Sequence, residues 1–109
     1  MILHRFPKTQ KINFADCNGN FAGFDMAQQC YEKASYVIDP DSVDIASYSF
    51  ALEPPSILVS DVVDQTEIRF RIVASGKPDA TISFRNIHNG YYCHIADYKI
   101  GLFAASESI

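Results

Sequence analysis

The stretch TEIRFRIVASGKPDATISF, residues 66–84, alternates charged and apolar side chains, turns, and then alternates again. A period of two places Ile68, Phe70 and Ile72 on one face of an extended chain and Glu67, Arg69 and Arg71 on the other. A helix would scatter both sets around its axis, so this segment is confined to a two-faced strand. The apolar face is expected to be buried and the charged face to meet water. Ser75-Gly76 turns the chain, and Ile82 and Phe84 carry the apolar face of the next strand.

The rest of the chain repeats this grammar. KTQKINFAD puts Ile12 and Phe14 on one side of a first strand, and DCNGN is turn chemistry. IASYSFAL sets Ala46, Tyr48, Phe50 and Leu52 on one face, with Tyr48 expected inward, before EPP interrupts it. SILVS reads as a short buried strand. HNGY carries Asn89-Gly90, the pair favoured in two-residue hairpin loops. YYCHIA and YKIGLF follow as strands, and AASESI reads as a loose tail.

One stretch has a helical look. Over residues 25–34, Ala27, Cys30, Tyr31 and Ala34 fall at i, i+3, i+4 and i+7, with Asp25 placed as a cap and Gln28 three residues on. The competing reading is an extended loop with a short strand at ASYVI. About seven strands separated by turns predict a mainly β fold, an Ig-like β-sandwich. No linker or repeat divides residues 1–109, which read as a single domain.

Composition narrows the function classes. A net charge of −4 is a poor basis for gripping nucleic-acid phosphates. No apolar run approaches the about 20 residues of a membrane span. The opening MILHRFPK does not have the form of a signal peptide, which points to synthesis in a cytoplasm. Cys17, Cys30 and Cys93 are odd in number and form no CxxC pair, so they are expected to be reduced and mostly buried.

Catalytic and metal signatures are weak. No GxSxG or phosphate-binding glycine loop occurs, and the chain is expected to be non-enzymatic, without cofactor or metal. If Asn89-Gly90 forms a two-residue loop, Arg85 pairs with His94, and His88 points to the opposite face from His94, so the two histidines do not chelate one ion. Asp39, Asp41 and Asp44, and Asp16, Asn18 and Asn20, offer oxygen ligands suited to calcium, but such residues also favour turns for local reasons. The candidate partner-binding surface is Arg69, Arg71 and Arg85 with Tyr92 and His94: basic and aromatic residues expected on exposed sheet positions. A solvated face that discourages edge aggregation is the plainer reading of the arginines.

Three stretches resemble a group of small Ig-like β-sandwich proteins of tailed bacteriophages, found as head decoration, neck or tail-accessory components. RFPKTQKINFAD looks like their opening strand. DSVDIASYSFAL looks like their Asp-x-Ile-x-Ser strand with its proline-containing link. TEIRFRIVASGKPDATISFRNIHNG looks like their strand, Ser-Gly turn, strand and hairpin. The resemblance covers most of the chain apart from residues 21–36. It implies a virion structural protein that decorates or cements a capsid or sits at the head–tail junction. Its partner would be the major capsid protein or another virion protein, met in many copies or as a homo-oligomer. The alternative is a small β-sandwich binding module for a carbohydrate or protein ligand.

Overall fold

Two antiparallel five-stranded sheets pack face to face in a computed structural model that describes residues 1–60, 64–87 and 92–109. Along the chain the strands are β1 (Ile2–Phe6), β2 (Lys11–Ala15), β3 (Phe21–Asp25), β4 (Lys33–Asp39), β5 (Ser49–Phe50), β6 (Ser56–Ser60), β7 (Gln65–Ala74), β8 (Lys77–Ile87), β9 (Ile95–Ile100) and β10 (Phe103–Ser108). The first sheet has the order β1-β2-β3-β9-β10. In the second, β4-β8-β7 run side by side, and β5 and β6 both pair with the outer edge of β7. The fold is mainly β and sandwich-like, as the alternation predicts.

The core forms where the inward parities of the two sheets meet. Phe14 and Phe24 come from the first sheet, and Phe50, Phe70 and Phe84 from the second. Phe24 stacks on Phe84 with ring centroids 4.8 Å apart, and Phe70 meets Tyr98 edge-on at 5.6 Å. Such ring pairs add about 0.5–1.5 kcal/mol to the burial itself. Ile68, Phe70 and Ile72 are buried while Arg69 and Arg71 are exposed, so the register read from TEIRFRI holds. Glu67 departs from it: this outward carboxylate is buried under neighbouring side chains.

Ten strands are seen among the described residues where the sequence suggests about seven. β1 precedes the expected first strand and pairs along its length with β2. The tail AASESI is not loose: β10 pairs with β9, and Ile109 is buried. Ala46 and Leu52 are exposed, whereas Tyr48 and Phe50 are buried. β5 is too short to carry the alternation further, and Pro54-Pro55 breaks the chain before β6 resumes along the same edge.

No helix spans residues 25–34. The Asp25 carboxylate accepts the Ala27 amide at 3.0 Å, which makes a local turn at the end of β3. Cys30 and Tyr31, two of the four apolar positions of the helical pattern, are exposed. A few turns with so poor an apolar stripe do not hold as a helix. ASYVI instead pairs with β8, from Ala34 opposite Asn86 to Ile38 opposite Ile82.

Asn89-Gly90 and His88 lie outside the described residues. The expected hairpin register does not form among the described ones, because both edges of β8 are already taken. Arg85 lies between Ser35 of β4 and Glu67 of β7 rather than opposite His94. β8 belongs to the second sheet, whereas β9, the next strand among the described residues, belongs to the first. Local turn chemistry suggests that neighbours in sequence pair; here the pairing is long-range.

Candidate functional site

The outward face of the second sheet brings Arg69, Arg71 and Arg85 together. Glu67 lies between two of them, with its Oε1 at 3.3 Å from Arg69 Nη2 and 3.3 Å from Arg85 Nε. Arg71 Nη1 meets Asp79 at 2.7 Å, and Arg71 Nε donates to Glu53 at 2.8 Å. Burial raises the Glu67 carboxyl pKa, but the Ser83 hydroxyl and the charges of Arg69 and Arg85 outweigh it and hold the group below its ordinary value. The face therefore carries three guanidinium groups matched by Glu53, Glu67 and Asp79. This balance makes it a poor lure for an acidic partner, since each guanidinium already faces a carboxylate of the same surface.

Tyr92 is exposed, as expected, and its carbonyl accepts from Asn86 Nδ2 at 2.9 Å. His94 does not belong to the surface set. It is 3 % exposed, and its ring lies between two oxygens: the Asp25 carbonyl at 2.7 Å from Nδ1 and the Glu32 carboxylate at 2.8 Å from Nε2. Glu32 is equally buried, and its carboxylate also accepts the amides of Gln29 and Cys30. Burial opposes its charge, yet those amides and His94 hold its pKa down to about 2. The His94 backbone exchanges hydrogen bonds with Ile109, and Asn86 Nδ2 donates to the Ile109 carbonyl at 3.0 Å. This cluster joins the 26–32 segment, the start of β9 and the end of β10. The only sequence hint was a lone Glu in an otherwise uncharged loop; its partner is 62 residues away.

Asp16 plays a similar part at another corner of the fold. Its Oδ1 accepts the amides of Asn18 and Asn20, and its Oδ2 accepts Asn20 Nδ2 at 2.9 Å and the Phe50 amide at 3.0 Å. Asn20 passes the link on to the Gly101 amide at 2.8 Å. Burial raises the Asp16 pKa, but these donors, Asn20 first, lower it further. The DCNGN turn is thus a tie between the two sheets, and its carboxylate is engaged with protein donors. Asp44 accepts the Ala46 amide at 3.1 Å as the cap of a short 3-10 turn. Among the described residues, no group of three or more His, Cys, Asp or Glu side chains is arranged to hold a metal ion.

The cysteines also depart from expectation: Cys17, Cys30 and Cys93 are all free and exposed. They sit in turns and irregular segments rather than at inward strand positions.

Two further surface features bear on function. A groove of about 420 Å³ opens on the first sheet, lined by Phe6, Phe21 and Ile95 and by Asn13 and Asp97, with Gly23 at its floor. In register, Asn13, Gly23 and Asp97 form one row across β2, β3 and β9. A Cβ at Gly23 would lie 3.1 Å from Asn13 Oδ1, so the missing side chain keeps the groove open. The second feature is β6. Among the described residues it pairs with β7 alone, and Ile57, Leu58 and Val59 are 50 %, 40 % and 70 % exposed. SILVS is therefore an edge rather than a buried strand; a short apolar run has the same composition in both settings.

Comparison with protein-family models, curated proteins and solved structures finds no match to this chain.

Proposed function

We propose that the chain is a non-enzymatic assembly protein of a tailed-phage virion, attached in many copies to a capsid or head–tail lattice. The observation that carries the assembly half of this reading is the β6 edge. Natural edge strands are guarded by Lys, Pro, bulges or covering segments. Ser56–Ser60 holds no charged residue and no proline, and its apolar side chains face solvent. Such an edge is suited to strand addition by a partner. The phage half rests on the resemblance of the opening, central and Ser-Gly segments to small virion sandwiches. Those segments fall on β1–β2, on β5 with the turn before it, and on β7–β8.

Sequencing the DNA on both sides of the gene tests this reading, followed by a search for the chain in purified particles. Neighbouring portal, terminase or capsid genes and a signal in particles support it. Metabolic neighbours, with no particle carrying the chain, overturn it.

The Gly23 groove favours a second reading, a carbohydrate-binding module. Phe6 and Phe21 offer apolar ring surface, while Asn13 and Asp97 offer hydroxyl partners at fixed spacing. Glycan-array binding abolished by Asn13→Ala would move the assignment to this site.

A further inference from the structure

We infer that β6 is a self-pairing edge, through which two copies of this chain join as antiparallel strands about a two-fold axis at Leu58. The inference deepens the assembly reading and rests on it. The sequence of the strand, Ser-Ile-Leu-Val-Ser, reads nearly the same in both directions. Antiparallel pairing centred on Leu58 sets Ser56 against Ser60, Ile57 against Val59 and Leu58 against its own mate. A slip of two residues in one direction leaves Val59 against itself and Leu58 against Ser60. In the other direction it leaves Ile57 against itself and Leu58 against Ser56. Only the centred register opposes every apolar residue of the strand with another apolar one, and an isologous contact needs such self-complementarity.

The surroundings allow the approach. In the row that contains Leu58, its neighbours across the sheet are Glu67 and Arg85, which are paired with each other. Arg69, opposite Ser56, shares the same carboxylate, so each copy brings one excess positive charge close to this edge, and added salt should favour the contact by screening it. Ile57 pairs with core-facing Ile68, so Ile57 and Val59 lie on the core side of the sheet and Leu58 on its outward side. Pairing would cover both sides at once and join the two second sheets into one. A contact one short strand long is small, below the roughly 1,000 Å² of a stable complex, so a weak, concentration-dependent dimer is expected. Weak contacts of this kind suit an assembly in which many copies add up.

Sedimentation of the full chain over a concentration series tests the inference. The mass should rise from 12.2 kDa toward twice that value at micromolar to higher concentrations. Leu58→Lys places like charges across the axis and should leave a monomer with unchanged melting. In a background with Cys17, Cys30 and Cys93 changed to Ser, Leu58→Cys should cross-link to its mate on oxidation, since opposed strand positions lie within disulfide reach. A wild type that stays monomeric throughout overturns the inference, as does a dimer that survives Leu58→Lys or fails to cross-link through Leu58→Cys. A monomeric chain that is nonetheless found in particles removes self-pairing and leaves the assembly reading standing.

Discussion

Glu32 Oε2 lies 2.8 Å from His94 Nε2, with both side chains shielded from solvent and the far side of the ring held by the Asp25 carbonyl. Burying such a hydrogen-bonded pair adds little net stability, because desolvation offsets the attraction, but removing one partner leaves the other unsatisfied. Its role here is to fix position: it sets where the 26–32 segment and the chain end dock on the sandwich.

Acid should expose this linkage. The Glu32 pKa is depressed from 4.5 to about 2 in the fold, so its contribution is present above 4.5 and is lost as pH falls toward 2. The lowered values of Asp16 and Glu67 act in the same direction. Melting temperature should therefore decline across that window. Glu32→Gln should melt lower than wild type at neutral pH and show a shallower acid decline. An acid slope equal to that of wild type would contradict the assignment.

Asp16→Ala should destabilise the fold by about 1–3 kcal/mol through the Phe50, Asn18 and Asn20 donors it leaves unpaired. Denaturant melts measure this. Added calcium should rescue nothing and should leave the wild-type melt unmoved, because the Asp16 carboxylate is already engaged by protein donors.

Native thiol titration should count three reactive cysteines, with no gain on unfolding. A thiol that reacts only in denaturant would place that cysteine inside, as the sequence alone suggests.

Phe84→Ala should cost about 3–5 kcal/mol, since the ring is fully buried and stacks on Phe24. Tyr31→Ala should change stability by less than about 0.5 kcal/mol, because the side chain is 89 % exposed. Similar effects at the two positions would restore the helical reading of residues 25–34, in which Tyr31 is part of a packed stripe.

The strands of the second sheet were legible because TEIRFRI carries its own parity, and one buried face fixes the register of everything beside it. Other features needed information that local pattern does not hold. SILVS has the composition of a core strand, yet it lies at an edge because only β7 is beside it. The pairing of Arg85 with His94 expected from Asn89-Gly90 does not form, because β4 and β7 take both sides of β8. Of the expected surface residues, Arg69, Arg71, Arg85 and Tyr92 reach solvent at least in part. His94 does not, because a distant carboxylate and a carbonyl draw its ring inside. The alternation that opened the sequence reading gives a small chain a core and a wet exterior. What that exterior serves is best read from β6, whose apolar side chains face solvent.

Amide hydrogen exchange at β6, followed as protein concentration rises, tests the central claim most directly. Assembly through this edge predicts that the amides of Ser56–Ser60 pointing away from β7 become protected as concentration increases, while other surface amides do not change. Exchange at β6 that is fast and independent of concentration would contradict it.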